Sequence, residues 1–179
     1  MAKLRKGVSY RRVERPYTRK SKYRAKNYVR ANPHNLVVKY DMGDTKREFP
    51  VRILLVSRES IQLRHNALEA ARKTCNRALE SKLGKSGYRF KLRVFPHHVL
   101  RENPLASGAG ADRMSTGMAF SFGKPIGIAA QVRQGHPIIE IGVEKKDVPT
   151  ARIAAQRANF KFPCTTRIVV EQNPHADRA

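Results

Sequence analysis

Two adjacent histidines are the residues whose types could perform acid–base or metal chemistry. His97 and His98 stand just before a segment that contains Asp112 and Arg113. Side chains of consecutive residues in an extended segment point to opposite sides, so the two imidazoles do not bind one metal ion together. No cluster of carboxylates accompanies them in the sequence. We therefore expect no metal site and no catalytic residue in this chain.

The two cysteines and a glycine-rich run offer two further kinds of chemistry. Cys75 and Cys164 lack the paired spacing of a zinc knuckle or a redox motif, so we expect two small, buried and reduced side chains. Residues 107–110 are similar to a phosphate-cradling loop, but no Lys followed by Ser or Thr comes after them. The sequence thus predicts that the protein is not an enzyme, uses no cofactor and takes no small-molecule substrate.

The charge of the sequence indicates the class of partner. The 179 residues include 37 Lys plus Arg and 14 Asp plus Glu, a formal net charge of +23 with a pI of about 10.9. Such an excess repels itself, and binding to a polyanion such as nucleic acid relieves the repulsion. No apolar run approaches the roughly 18 residues of a membrane span, and no secretory or lipidation signal is present. We expect a cytoplasmic protein without a membrane partner.

Almost half of this charge lies in residues 1–30, which we predict to be a basic RNA-binding arm. They contain twelve Lys or Arg and one acid, a net charge of +11, whereas the other 149 residues carry +12. The arm lacks apolar periodicity, so its partner must order it. Tyrosines interleaved with the cations suit stacking on unpaired bases. The predicted RNA-binding residues here are Arg5, Lys6, Tyr10, Arg11, Arg12, Arg15, Tyr17, Arg19, Lys20, Lys22, Tyr23, Arg24 and Lys26.

Residues 31–179 predict a single α+β domain. Apolar and β-branched runs predict strands at 36–40, 49–56, 88–95 and 165–170, with a turn at 41–44 after the first. Two further runs, 126–132 and 137–143, are predicted to form a hairpin around Gly135. We expect two helices to pack on the resulting antiparallel or mixed sheet.

Capping residues and apolar spacing predict where the two helices lie. The first has Asn66 as N-cap, with Glu69 three residues on, and ends at Gly84. Its predicted buried stripe is Leu68, Ala71, Cys75, Ala78, Leu79 and Leu83, whereas Arg72, Lys73 and Arg77 lie on other faces, against either solvent or phosphate. The second has Asp147 as N-cap and Pro149 in its first turn, with Ile153, Ala154 and Ala158 facing inward.

Two segments of the domain are predicted to contact a partner. In the strand at 88–95, the cations Arg89, Lys91 and Arg93 alternate with apolar residues, so they share one face that we expect to meet RNA. Residues 101–118 lack periodicity and are rich in Gly, Ala and Ser, which predicts a long functional loop. Its glycines permit a close approach to a partner, and simple flexibility is the alternative that we leave open.

Four ordered blocks give the sequence a family resemblance. They are GAGADRMSTGM at 108–118 continued by AFSFGKPIG at 119–127, ALEAAR at 67–72, FPHHVLRENP at 95–104 and FKFP at 160–163. With RPYTRKSKYR at 15–24, they resemble the large-subunit ribosomal proteins called L-sixteen in bacteria and L-ten-e in archaea and eukaryotes, in the archaeal form. The resemblance covers nearly the whole chain.

This resemblance implies a hammerhead-type α+β domain that is a structural constituent of the large ribosomal subunit. Its partners would be large-subunit rRNA near the base of the central protuberance, the elbow of the aminoacyl-site tRNA and neighbouring ribosomal proteins. It would thereby support tRNA positioning in translation. By matching position, the loop residues near the tRNA and the peptidyl-transferase region would be Ser107, Gly108, Gly110, Asp112, Arg113, Thr116 and Gly117.

Two other interpretations stay open at this point. A free-standing RNA chaperone or other basic nucleic-acid-binding protein would share the charge, although the sequence contains no helix-turn-helix, zinc finger or RNP aromatic pair. An RNA-modifying enzyme with its active site in the loop would lack a catalytic constellation. A ribosomal component co-sediments stoichiometrically with large subunits, whereas the other two stay largely unbound.

Overall fold

The computed structural model describes residues 5–15, 23, 25, 33–102 and 123–173 of the chain. In these ranges two α-helices accompany eight strands, and short 3-10 helices occupy Gly7–Tyr10 and Lys145–Asp147. The main elements are β1 (Asp41–Gly43), β2 (Val51–Ser57), β3 (Ile61–Arg64), α1 (His65–Leu83), β4 (Tyr88–Leu92), β5 (His98–Glu102), β6 (Lys124–Val132), β7 (Pro137–Val143), α2 (Val148–Asn159) and β8 (Thr166–Gln172).

The strands form two antiparallel sheets. The first has five strands in the order β1-β4-β7-β2-β8, and the second has three in the order β3-β6-β5. All six strand pairs are antiparallel. Together with the two helices packed on them, these sheets confirm the predicted α+β fold.

The core lies between the helices and the inner face of the five-stranded sheet. Strand alternation brings Ile53, Ile141 and Phe90 side by side on three neighbouring strands, and all three are fully buried. Helix α1 buries Leu68, Ala71, Cys75, Ala78 and Leu79 against this layer, and α2 buries Ala151, Ala154, Ala155 and Ala158. Because alanine side chains are small, α2 lies close to its neighbours in the core.

The prediction of two buried, reduced cysteines holds fully for Cys75, whereas Cys164 is reduced but only partly buried. Cys75 is fully buried in α1, and its burial raises the pKa of the thiol to about 12. Cys164 is half-buried, and burial raises the pKa of its thiol too. Neither sulfur forms a disulfide, so both act as small hydrophobic groups at neutral pH.

The predicted hairpin around Gly135 is wrong, although both of its strands are present. Strand β6 pairs with β3 and β5, whereas β7 lies between β4 and β2 in the other sheet. Both edges of β7 are thus occupied, so it has no edge left for β6. Gly135, with a φ of 80°, turns the chain from one sheet to the other. Periodicity shows which runs are extended, but it does not show which strands pair.

The strand predicted at 36–40 is also wrong. Residues 33–40 form no strand, although the Tyr40 carbonyl accepts a hydrogen bond from the Leu92 N–H at 2.8 Å, and β1 covers Asp41–Gly43, where a turn was expected. Side-chain hydrogen bonds hold the segment instead: the backbone N–H of Val37 donates to Asn35 Oδ1 at 3.0 Å, and Asn35 Nδ2 donates to the Tyr40 hydroxyl at 2.7 Å. Gly43 fits β1 because a Cβ there would lie 2.2 Å from the carbonyl oxygen of Tyr88.

The helix ends match the prediction in part. Gly84 ends α1 as expected, with a φ of 69° and its N–H donated to Glu80 O. At the other end Asn66 lies inside the helix, because β3 leads directly into α1 and leaves no separate capping residue. In α2, Asp147 holds the N-cap position and Pro149 the first turn, but Ile153 is 55% exposed and does not face inward.

Arg72 is buried in an ion pair, which corrects its assignment to a solvent- or phosphate-facing side of α1. Its Nε and Nη2 donate to the two carboxylate oxygens of Glu69 at 2.8 and 2.6 Å. Glu69 also accepts a hydrogen bond from the backbone N–H of Val38 at 3.4 Å. The pair therefore links α1 to the irregular segment before β1, and either partner alone would be a buried, unpaired charge.

We expect Glu69→Gln to lower the free energy of unfolding at neutral pH by about 3 kcal/mol, near the lower end for breaking a buried ion pair. Lys73→Gln is the matched control, because Lys73 lies 3.6 Å from the same carboxylate but is mostly exposed. It should cost less than about 1 kcal/mol. Urea unfolding of the purified full chain measures both, and equal losses would contradict the buried role of Arg72.

The same pair predicts how stability depends on pH. The hydrogen bond from Arg72 is the main cause that lowers the pKa of Glu69. A carboxyl group whose pKa is lower in the folded state stabilises the protein above its unfolded-state pKa, and loses this contribution as pH falls through the folded-state pKa. The stability difference between the wild type and Glu69→Gln should therefore shrink on acidification.

Candidate RNA-binding surface

The main chain of residues 5–14 is bonded to the three-stranded sheet. The backbone N–H of Gln62 in β3 donates to Arg11 O at 2.9 Å, and the Gln62 side chain donates to Tyr10 O at 3.0 Å. Gln131 in β6 donates to Glu14 O at 2.6 Å. These bonds fix the path of the first described segment across β3 and β6.

The side chains of Gln62 and Gln131 thus hold the main chain of residues 10–14, a role that the sequence analysis did not predict. Gln62 is only 2% exposed and lies opposite Gln131 in the β3–β6 register. Gln131 Nε2 also donates to Gln62 Oε1 at 3.1 Å, so the two amides form one hydrogen-bonded unit. A signal was available, since each glutamine lies between two apolar residues of its strand, where a buried amide requires partners.

The side chains of this segment divide into two groups. Lys6, Arg11, Arg12 and Arg15 are exposed. Arg5 instead forms an ion pair with Glu102 of β5, which raises the pKa of its guanidinium through the hydrogen bond. The main-chain bonds therefore hold the segment in place while the four exposed cations face outward.

The predicted tyrosines and the rest of the arm are described only in part. Tyr10 is half-buried, and burial is the main cause that raises the pKa of its phenol. Tyr23 is exposed. The other predicted arm residues lie outside the described residues: Tyr17, Arg19, Lys20, Lys22, Arg24 and Lys26.

The cations of β4 lie on the outer face of the five-stranded sheet, opposite the helices. Tyr88, Phe90 and Leu92 are buried, whereas Arg89 and Lys91 are half-exposed. Strand alternation is therefore as predicted. Beyond the end of β4, Arg93 differs from the other two, because its Nη1 lies 2.8 Å from Glu140 Oε2.

Glu140 neutralises part of this face. It lies opposite Lys91 and Leu54 in the sheet register, and its carboxylate is 3.7 Å from Arg52 Nε as well as close to Arg93. Arg89 lies opposite Gly142, which has no side chain. Among the described residues, Arg93 forms an ion pair with Glu140, whereas no ion pair involves Arg89 or Lys91; RNA contact by all three stays a prediction.

This difference predicts separate effects for the three residues. Arg89→Gln combined with Lys91→Gln should lower the slope of log affinity against log salt by about 1.5, at roughly 0.7–0.9 for each phosphate contact, with an unchanged melting temperature. Arg93→Gln should leave the slope nearly unchanged and cost up to about 1 kcal/mol of stability. RNA-binding titrations across a salt series and thermal melts measure both. The opposite pattern would make Arg93 the RNA contact.

The predicted loop residues lie outside the described residues: Ser107, Gly108, Gly110, Asp112, Arg113, Thr116 and Gly117. The structure does describe the strands on either side. Strand β5 extends through Arg101 and Glu102, so the loop begins no earlier than residue 103. Glu102 lies opposite Lys124 in the β5–β6 pair, so the intervening chain leaves and returns at adjacent positions.

The two histidines next to this segment lie in different environments. His97 is exposed, with its ring centroid 4.7 Å from that of Phe95. His98 is buried, and burial is the main cause that lowers the pKa of its imidazole. Across the described ranges, no three His, Cys, Asp or Glu side chains are grouped so as to hold a metal ion. None of the helices in those ranges is both long and apolar enough to cross a bilayer.

Comparison with known proteins gives a consistent family. Residues 13–169 match the family described as ribosomal protein L16p/L10e. "Large ribosomal subunit protein uL16" of Methanococcus aeolicus is 48% identical over 168 residues, which cover 93% of this chain and 94% of that protein. The protein of the same name in Archaeoglobus fulgidus is 46% identical, over 91% of this chain and 90% of its own length.

A third relative extends the same pattern. The uL16 protein of Methanocella arvoryzae is 46% identical over 150 residues, or 84% of this chain and 87% of that protein. The family match covers the described arm residues 13–15, both helices and part of β8. The chain therefore belongs to the ribosomal protein L16p/L10e family.

Proposed function

We propose that the protein binds large-subunit rRNA near the base of the central protuberance and beside the aminoacyl-tRNA site, where it supports tRNA positioning in translation. As a member of a ribosomal protein family, it is a structural constituent of the large ribosomal subunit and not an enzyme. Its place is accordingly in the cytoplasm, within that subunit, among rRNA and neighbouring ribosomal proteins.

One observation carries the RNA-binding part of this proposal. Residues 5–14 are bonded to the three-stranded sheet through carbonyl groups of the main chain, and the side chains of Lys6, Arg11, Arg12 and the adjacent Arg15 are exposed. The entropy of ordering this part of the backbone is already lost before a partner binds. Such a segment presents its cations from a backbone held in place, and phosphate groups match the geometry of guanidinium groups.

The net charge supports the same partner over a small or neutral ligand. The four exposed cations lie between residues 6 and 15 of a chain whose formal net charge is +23. Each phosphate contact releases condensed counter-ions, so affinity should depend steeply on salt concentration. The position beside the tRNA elbow is supported by the sequence resemblance of the 108–127 block.

Reconstitution separates this proposal from its main alternative. The purified full chain is mixed with large-subunit rRNA and the remaining subunit proteins, and the particles are separated by sedimentation. We expect one copy in each large subunit. The bound chain should protect the rRNA backbone at the base of the central protuberance from cleavage in a footprinting experiment. Substoichiometric, exchangeable association along many RNAs would instead identify a free-standing RNA chaperone.

A further inference from the structure

Helix α2 and the turn after it form a second basic surface, which lies outside all of the residues assigned above to RNA. Residues 148–170 contain Arg152, Arg157, Lys161 and Arg167, but no Asp or Glu. All four cations are exposed. Two acids border this surface. Asp147 precedes the helix, and Glu59 accepts a hydrogen bond from the backbone N–H of Thr165 at 3.3 Å.

An exposed aromatic ring lies at the end of this surface. Phe160 is 73% exposed, more than any other large hydrophobic side chain in the described residues. Ile153, Arg157 and Phe160 are four and three residues apart, so they lie along one helical face. The opposite face of α2 is the buried alanine stripe. A single exposed ring is common on protein surfaces, but here it lies between the cations Arg157 and Lys161, next to the exposed Ile153.

Hydrogen bonds stabilise the turn that carries Phe160. The backbone N–H of Lys161 donates to Ala158 O at 2.9 Å, and that of Phe162 donates to Asn159 O at 3.0 Å. The Phe162 side chain is buried in the core, whereas that of Phe160 points to the surface. Thr166 Oγ1 also donates to Asn159 Oδ1 at 2.7 Å, which ties the turn to β8. These bonds fix the backbone that carries Phe160, so its exposed ring lies at a defined place on the surface.

We infer that this α2 surface binds an unpaired nucleotide of rRNA, with the base stacked on Phe160 and the flanking phosphates bound by Arg157, Lys161 and Arg152. Base–aromatic stacking together with cations along the backbone is the usual chemistry of single-stranded RNA recognition. Two apolar side chains, Ile153 and Phe160, are too few for the buried centre of a protein interface. The absence of acids from residues 148–170 also favours a polyanion over a protein surface of mixed charge.

The inference rests on the proposed rRNA binding, and stacking and charge can be measured separately. Phe160→Leu in the full chain should weaken binding to large-subunit rRNA by about 5- to 160-fold, the usual range for one stacked base, without changing the salt slope. Arg157→Gln with Lys161→Gln should lower the slope by about 1.5. Phe95→Leu is the matched control, because the 45%-exposed Phe95 ring is already stacked on Tyr40 at 5.2 Å; its affinity should stay within about twofold of the wild type.

A fluorescence measurement tests the stack directly. The chain contains no tryptophan, so Phe160→Trp introduces a single reporter. We expect rRNA to quench the emission of this indole, and the quenching to persist at salt concentrations where the protein stays bound. If the wild type binds rRNA but Phe160→Leu matches it and the introduced indole is not quenched, the stacking site is overturned. Quenching by ribosomal proteins instead of RNA would also overturn it, whereas a wild type that does not bind rRNA would refute the proposed function itself.

Discussion

Replacing Lys6, Arg11, Arg12 and Arg15 together by Gln should weaken binding to large-subunit rRNA by about 100-fold at moderate salt and lower the salt slope by about 3, since each phosphate contact contributes roughly 0.7–0.9. The four side chains are exposed, and hydrogen bonds join the main chain of this segment to the three-stranded sheet. The melting temperature should therefore stay within about 2 °C of the wild type. Filter binding across a salt series, together with thermal melts, measures both effects.

A tether variant is the matched control for this result. Gln62→Leu with Gln131→Leu keeps every cation but removes the side-chain donors that hold Tyr10 O and Glu14 O. It should preserve the salt slope and reduce affinity less than the charge variant does, because only the ordering of the segment is lost. A slope that stays unchanged when the four cations are removed would show that these residues do not contact phosphate.

Deletion of residues 1–30 removes both the cations and the hydrogen bonds that join this segment to the sheet. It should flatten the salt dependence further, because all twelve cations of the predicted arm are removed. The structure adds a cost to the domain as well, since the deletion leaves the buried amide of Gln62 without its carbonyl partner at residue 10. The boundary of the arm at residue 30 remains a prediction, whereas residues 5–14 are hydrogen-bonded to the three-stranded sheet.

The sequence predicted individual elements better than their partners. Apolar spacing located α1 and α2 and most of the strands, because burial on one face imposes a period on the residues themselves. Strand pairing depends on contacts between distant segments, so the separation of β6 and β7 into two sheets left no local signal. The strand predicted at 36–40 was wrong for a related reason: the apolar run 36–38 buries Val37 alone, while Leu36 and Val38 are exposed and pair with no strand.

The candidate site was predicted in the same uneven way. Charge density predicted Arg11, Arg12 and Arg15 as RNA contacts, and the structure shows that all three are exposed, while the contact itself stays a prediction. It did not distinguish these from Arg72 and Arg93, whose carboxylate partners are Glu69, three residues away, and Glu140, 47 residues away. Local sequence shows that a residue is cationic, whereas its neutralisation depends on tertiary structure.

The largest functional effect is expected from the segment between β5 and β6. Replacing residues 107–117 by a short Gly-Ser linker should leave the protein folded and able to assemble, because the paired ends at Glu102 and Lys124 already fix the separation that the linker must span. The entropy of a surface connection changes by only about 0.6 kcal/mol for a twofold change in length. Large subunits carrying the variant should nevertheless accommodate aminoacyl-tRNA more slowly, by on the order of tenfold, or about 1.4 kcal/mol in the barrier.

The charge of this segment explains why assembly and function should separate. Between residues 103 and 123 the charged residues are Asp112 and Arg113, which cancel, so the segment adds no net attraction for rRNA. Glycine and other small residues instead allow a close approach of the main chain to tRNA or to the surrounding RNA. In vivo replacement, with subunit occupancy and translation rate scored independently, tests this division. Normal translation at full occupancy would refute a functional loop, and loss of occupancy would show that the segment anchors the protein in the subunit.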